Sequence, residues 1–396
     1  MRPSVPTIPI APQDLRGERP GESGSAFDRS LRVLVVAESF LPQVNGVTNS
    51  VVRVLDHLAT GGHEAAVVAP TGPDSYAGFP VLHTRGTNVP FYRDFRIGLE
   101  ARGRFREVIA AFQPDVVHVA SPAALGYQAV RAADDLGVPT LAVYQTDLVG
   151  FARQYGVLGG EWAMARLTRS IHRRVDRTLA PSTASLRQLQ ALDVPRVALW
   201  PRGVDTTLFH PARRTRARGS GPVRIGYVGR LAAEKELHLL RSLADLPGTE
   251  LVLVGSGPEE EWLRSLLPTA QFRGLVLGGE LAQEYADLDV FVHTGRHETY
   301  CQSAQEALAS GVPVVAPNAG GPVDVVPAAA GFLYEPGDAA GLRGYVAALV
   351  GDDELRSRMG VAARLAVEGR TWTRVNDLLL RHYREVIRAR ENLDAA

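Results

Sequence analysis

Lysine is almost missing from this sequence. Of 43 basic residues only Lys235 is not an arginine, so any task that needs a compact ammonium on a flexible stem has one place to reside. Cysteine is as scarce. Cys301 stands alone, which excludes an intrachain disulfide and a zinc site built on cysteine pairs, and fits a reducing cytoplasm. Neither sign of charge predominates, with 43 acidic residues against 43 basic ones. No net field draws the chain to nucleic acid, and charge-driven binding must be local. No run of about 18 apolar residues offers a membrane span, which leaves contact with a membrane surface open. Residues 1–30, rich in proline, glycine and charge, lack the apolar core of a signal peptide and read as a disordered tail.

What is present is an α/β rhythm long enough for about two domains facing a cleft. "LRVLVVAE" (31–38) is a continuous apolar run, as expected of a strand buried on both faces of a parallel sheet. A turn segment, a helical stretch ended by Gly61-Gly62 and the strand "AAVVAP" follow. Further runs, "DVVHVAS", "PTLAVYQT", "RTLAPS" and "VALWPRG", alternate with helical spacing and predict a doubly wound first domain over 31–203. Residues 204–222, with proline, glycine and clustered arginine, read as a linker. A second α/β series occupies 223–370, and 371–396 holds one amphipathic helix.

Strand one is followed by "PQVNGVTNS" and not by G-x-G-x-x-G, which argues against a standard dinucleotide site. Gly46 there is a turn glycine or a point of close backbone approach to a ligand. In the second domain "VRIGYVG" leads to Arg230 and, five residues on, to Lys235. Both cations then lie beyond the carboxyl end of a strand, where open α/β sheets bind ligands. One planar fork and one point charge suit a diphosphate. The densest signal is "GRHETYCQSAQEALASGVPVVAPNAGGP" (295–322). Glu298 in a loop and Glu306 on a helix cannot share one helix face, so they offer hydroxyl acceptors at two places, suited to a sugar and a ribose. The helix start near Cys301 to Ser303 presents free N–H groups to an anion between them.

These residues resemble the family-four retaining glycosyltransferases of the GT-B fold, and more narrowly the actinobacterial GDP-mannose-dependent α-mannosyltransferases that act on membrane glycolipids. The likeness covers residues 31–390 and rests on three motifs in order: "PQVNGV", G-R-x4-K at Gly229-Arg230 to Lys235, and E-x7-E at Glu298 to Glu306. It implies two Rossmann-like domains facing a cleft, an acceptor domain and then a donor domain, with the C-terminal helix returning to the first. Arg230 and Lys235 would neutralise the donor diphosphate, and Glu306 would hold the ribose. Glu298 would contact the donor sugar, assisted by backbone amides near Tyr300, Cys301 and Gln302. His118 would face the sugar from the first domain, with Gly46 and Asn45 near the phosphate and acceptor. In "YQTDLVGF" Gln145 replaces a histidine common among relatives, leaving Asp147 as the polar candidate on the acceptor side. The resemblance implies GDP-mannose as donor, front-face retention with the departing phosphate helping to deprotonate the acceptor, and no metal, since no Asp-x-Asp motif accompanies the diphosphate site.

Basic stretches at 166–177 and 92–112 carry Arg166, Arg169, Arg173, Arg174 and Arg177, and Arg93, Arg96, Arg102, Arg104 and Arg106. With apolar neighbours they suit an anionic lipid surface as well as plain solvent. A glycolipid or other glycan acceptor at the inner face of the cell membrane is the expectation. The alternatives are a UDP-sugar-dependent transferase with a small soluble acceptor and a nucleotide-sugar epimerase of the same fold.

Overall fold

The computed structural model describes residues 30–43, 45–89, 92–120, 122–154, 159–217, 219 and 221–395; apart from Ser30, the expected N-terminal tail lies outside them. The chain forms two units that divide at Pro201/Arg202 and again at Trp372/Thr373.

Unit one opens with β1 (Arg32–Ala37), α1 (Gly46–Thr60) and β2 (Glu64–Ala69), followed by two short strands, β3 (Ser75–Tyr76) and β4 (Phe79–His83). A hairpin, β5 (Arg85–Val89) and β6 (Tyr92–Leu99), precedes α2 (Arg102–Phe112), β7 (Val116–Ala120), α3 (Ala124–Asp135) and β8 (Thr140–Val143). Then come α4 (Leu148–Gln154), α5 (Gly160–His172), β9 (Arg177–Ala180), α6 (Thr183–Ala191) and β10 (Val197–Leu199). The sheet runs β10-β9-β8-β7-β1-β2-β4-β3. All its pairs are parallel except β3 with β4. The strand order reverses between β1 and β7, with Val35 paired to His118. The apolar run that predicted strand one is fully enclosed from Val33 to Ala37, as crossover helices on both faces require.

Unit two repeats the plan with β11 (Val223–Val228), β12 (Thr249–Val254), α7 (Glu260–Leu266), β13 (Gln271–Gly274), α8 (Gly278–Ala286) and β14 (Val290–Val292). It continues through α9 (Gln302–Ala309), β15 (Val314–Pro317), α10 (Pro322–Val325), β16 (Gly331–Tyr334), α11 (Ala339–Gly351) and α12 (Asp353–Val367). The strand order β13-β12-β11-β14-β15-β16 reverses between β11 and β14. The crossover that leaves β11 begins not with an α-helix but with two 3-10 segments, Ala233–Lys235 and Leu237–Leu243. Glu236 between them has φ 51°, a left-handed conformation no helix can carry through.

The final helix, α13 (Trp372–Asp394), returns the chain to unit one. Trp200 Nε1 donates to Val375 O (2.8 Å) and Asn376 Nδ2 to Arg53 O (2.9 Å). Arg177 pairs with Glu385.

Residues 204–222 are not a free linker. Arg214 meets Asp289 (2.6 Å) and donates to the Leu288 carbonyl (2.7 Å), while Asp287 accepts from the Thr215 hydroxyl (2.8 Å). Arg216 lies 3.5 Å from Glu250 and 3.6 Å from Asp289. Clustered arginine, the reason for reading a linker, is here the means by which the segment is bound to unit two.

At the end of β1, Glu38 is buried, and its Oε1 accepts from Ala123 N (2.7 Å) and Gly126 N (2.9 Å) at the start of α3. Burial pushes its pKa up from 4.5 to about 7 despite those bonds. The folded state therefore holds a proton that the unfolded chain has released, and Glu38 costs stability progressively as pH rises from 4.5 to about 7. Glu38→Gln keeps the carbonyl acceptor without the charge. It should raise the melting temperature at pH 8, by on the order of 1–3 kcal/mol in stability, and leave it unchanged at pH 4. An equal or lower melting temperature at pH 8 would show that the carboxylate is needed there.

Candidate active site

The carboxyl ends of β11 and β14 flank the point where strand order reverses in unit two, the place where such sheets bind ligands. After β11 the chain passes Gly229 and Arg230, makes its first 3-10 turn and presents Lys235. After β14 it passes His293, Thr294 and Gly295 into the loop that carries Glu298. The two segments are tied together by Thr294 Oγ1, which donates to the Lys235 carbonyl (2.5 Å).

Lys235 and Glu298, 63 residues apart in sequence, meet here with Nζ 2.6 Å from Oε1. Their side chains are 23% and 18% exposed, so each keeps one side open. Burial alone would favour a neutral Lys235, but the Glu298 carboxylate, and after it Tyr227, hold its pKa above the ordinary lysine range. Burial likewise works against charge on Glu298. Lys235 first and then His293 outweigh it and hold the carboxyl well below its usual range. Both shifts favour the ionised pair at neutral pH.

His293 is a member of this cluster that sequence reasoning did not single out. Its ring is 2% exposed, Nε2 lies 3.2 Å from Glu298 Oε1, and the ring stacks on Tyr227 with centroids 6.1 Å apart. Neither ring nitrogen has an aligned hydrogen-bond partner, so the contact with Glu298 is mainly electrostatic. Burial disfavours the charged ring, yet the Cys301 sulfur and the Glu298 carboxylate push its pKa up to about 10. Its only mark in the sequence is the polar pair His293-Thr294 closing the apolar run of "DVFVHT".

A glycine turn fixes the Glu298 loop from behind. Gly321 N donates to the Glu298 carbonyl (2.8 Å). Gly320 has φ +61°, and a Cβ there would sit 2.5 Å from the same oxygen. No side chain fits, which explains the Gly-Gly pair.

Glu306 stands in the second turn of α9, and its Oε2 accepts from Tyr285 Oη (3.0 Å) on α8. Burial, reinforced by Glu306, keeps the Tyr285 phenol protonated far above the ordinary range, so Tyr285 donates. The Tyr300 and Gln302 side chains turn inward: Tyr300 Oη donates to Arg202 O (3.1 Å) and Gln302 Nε2 to Gly203 O (3.0 Å). Cys301 is buried, with φ 77° at the N-cap of α9. These side chains fasten the start of α9, leaving its first N–H groups as the available donors. Arg230 is half-buried, and its carbonyl accepts from Tyr227 Oη (3.0 Å).

The residues expected from unit one sit differently. His118 lies mid-strand in β7 at 1% exposure, with Nδ1 2.5 Å from Tyr383 Oη of α13. The pleat sets its side chain on the same face as Val116 and Ala120, which α13 covers. The expectation that it faces a sugar is corrected accordingly. Asn45 caps α1: Oδ1 accepts from Thr48 N (2.9 Å) and Nδ2 donates to Ser39 Oγ (2.8 Å). Asp147 Oδ1 accepts from Gly150 N (2.9 Å) and Tyr144 Oη (3.1 Å), which ties it to the start of α4. Gly46 is the first residue of α1; its φ is not positive and no atom lies within 4 Å of a Cβ built there.

One Asp-x-Asp sequence does occur, Asp287-Leu288-Asp289. It lies at the start of β14, the opposite end of the strand from Glu298. Both carboxylates are engaged: Arg214 and Arg224 N contact Asp289, while Thr215 and Arg216 N contact Asp287. Among the described residues no group of three or more His, Cys, Asp or Glu side chains is arranged to hold a metal ion.

Comparison with known proteins gives the family. Residues 44–208 match the family model Glycosyltransferase Family 4, and residues 211–366 match Glycosyl transferases group 1. A protein of Mycolicibacterium smegmatis described as a GDP-mannose-dependent alpha-mannosyltransferase is 47% identical, covering 92% of this chain and 100% of its own length. A protein of the same description from Corynebacterium glutamicum is 41% identical, covering 91% of this chain and 90% of its own length. Among solved structures, sucrose-phosphate synthase from Thermosynechococcus elongatus superposes with a TM-score of 0.75 at 20% identity, covering 91% and 100% of the two chains. Motifs, unit architecture and relatives therefore agree, and the chain belongs to the family 4, group 1 glycosyltransferases of GT-B fold.

Proposed function

We propose that this glycosyltransferase moves mannose from GDP-mannose, with retention, to a hydroxyl of a glycolipid or other glycan, forming an α linkage. The observation that carries the reading is the meeting of Lys235 with Glu298 at the switch point of unit two, beside the N-terminus of α9. A phosphate oxygen can take the Lys235 ammonium, and Arg230 and the free N–H groups of α9 add positive potential. Glu306, oriented by Tyr285, accepts from the ribose hydroxyls, and Glu298 from hydroxyls of the mannose. The donor itself is inferred from the description shared by relatives 41–48% identical to this chain.

In the transfer step the bond between the anomeric carbon and the diphosphate oxygen breaks while a bond to the acceptor oxygen forms on the same face. The acceptor proton passes to the departing phosphate oxygen, and the products are GDP and the α-mannoside. Lys235 and Arg230 stabilise charge as it collects on the leaving group. These cations supply the neutralisation that a metal would otherwise provide, so turnover should persist in EDTA.

Helix α5 supports an acceptor drawn from a membrane. Trp162, Arg166, Arg169 and Arg173 recur at spacings of four, three and four and are exposed. Trp162 is 69% exposed, with the Arg166 guanidinium 5.6 Å from its ring centroid. An aromatic ring among cations suits the boundary of an anionic bilayer. Arg169 is paired with Asp193 (2.9 Å) and Arg177 with Glu385, which leaves Arg166 and Arg173 as the cations beside Trp162. In the second basic stretch Arg102 pairs with Asp135 and Arg104 with Glu107, while Arg93 and Arg96 lie outside the described side chains. No helix among the described residues is long and apolar enough to cross a membrane.

Thermal unfolding with GDP, UDP and ADP tests the donor. Ligand at about 100 times its Kd adds roughly 2.7 kcal/mol, and GDP alone should raise the melting temperature by several degrees. A response to UDP and not GDP would overturn the donor assignment. Glu306→Ala should weaken GDP binding about tenfold or more, whereas Glu298→Ala should lower kcat and leave GDP affinity nearly unchanged. Lys235→Arg should lose most turnover; full activity would show that any cation suffices. Sedimentation with anionic and neutral phospholipid vesicles reads the membrane contact. Binding should be confined to anionic vesicles and fall severalfold in Trp162→Ala, and equal binding to neutral vesicles would remove α5 from the proposal.

A further inference from the structure

Glu298 Oε1 lies near two cationic groups, Lys235 Nζ at 2.6 Å and His293 Nε2 at 3.2 Å. Two anions also compete for Lys235, namely Glu298 and, on the donor-site reading above, the diphosphate. When Lys235 turns to the phosphate, Glu298 loses its nearest cation while it remains largely enclosed. A buried carboxylate without a partner is strongly unfavourable, and that cost would be subtracted from donor affinity unless another group met it.

His293 is placed to do so. Its backbone is fixed, with N donating to Val315 O (2.9 Å) and O accepting from Tyr334 Oη (3.1 Å). Its ring is enclosed against Tyr227 and beside Cys301, with Glu298 as the carboxylate next to it. We infer that His293 is a positioning residue that supplies the counter-charge of Glu298 while Lys235 serves the diphosphate. The imidazolium cannot follow Lys235 toward the donor, because β14 and the Tyr227 ring hold it beneath the loop. Glu298 thus stays ionised and in place for the sugar hydroxyls, and Lys235 is released at little electrostatic cost.

The test is a double-mutant cycle read by calorimetric GDP binding. GDP is the probe because it carries the diphosphate but no sugar for Glu298 to hold. The variants are His293→Leu, Glu298→Gln and the two combined, with His293→Gln as a second neutral replacement of similar size that is expected to fold where leucine does not. His293→Leu and His293→Gln should each weaken GDP binding about tenfold or more. Glu298→Gln should bind GDP at least as tightly as the parent. The combined variant should return to within about threefold of Glu298→Gln, because no carboxylate then needs a counter-charge. A merely structural role for His293 would leave the combined variant as weak as His293→Leu, and that result overturns the inference, as does parental affinity in both His293 variants. Failure of the parent protein itself to bind GDP is a separate outcome that overturns the donor reading and this inference with it.

Discussion

A carboxylate taken out of water must be neutralised from within, and the carboxyl-end rim of the unit-two sheet is organised around meeting that requirement at Glu298. The Lys235 segment, the end of β14 and the Gly320-Gly321 turn come from three separate stretches of chain. Each supplies something to one side chain: a cation on a flexible stem, a histidine on a fixed strand end and a rigid support. The strand order makes this possible, since only where β11 and β14 send their crossovers to opposite faces does the rim open wide enough to admit the loops.

The scarcity of lysine acquires a physical meaning in this setting. A guanidinium would grip a carboxylate through two parallel hydrogen bonds and hold it there. An ammonium makes a single strong contact and can exchange it for another. On the inference drawn above, the residue that serves two anions in turn is the one that cannot clamp either of them.

Most of the fold was legible in the sequence because both sheets are parallel and enclosed, so their strands read as apolar runs such as "LRVLVVAE" and "ELVLVG". The short strands β3 and β4 and the β5-β6 hairpin were not, because "SY", "FPVLH", "RGTNV" and "YRDFRIGL" show neither a sustained apolar run nor a clean period-two alternation. Within the site, spacing alone separated Glu298 from Glu306 and put Lys235 on the correct rim. His293 escaped because one histidine at the end of a strand carries no periodic signal and acquires its charge only from partners five and eight residues away. The converse error, His118, has the same origin: a motif gives a position along a strand, while the pleat and the covering helix decide which way the side chain faces. Asp287 and Asp289 were equally opaque, since their partners Arg214, Thr215 and Arg216 come from the segment that composition alone marked as a linker.

The return of α13 to unit one carries a consequence for how the protein is made. Unit two is in effect an insertion, entered at Pro201/Arg202 and left at Trp372/Thr373, and the face of unit one that holds His118 and Trp200 is closed by a helix synthesised only after unit two. Synthesis from the N-terminus therefore delivers unit two complete while unit one still has an open apolar flank. The domain that begins first is the one that finishes last, and its exposed interval lasts as long as the ribosome takes to translate everything between.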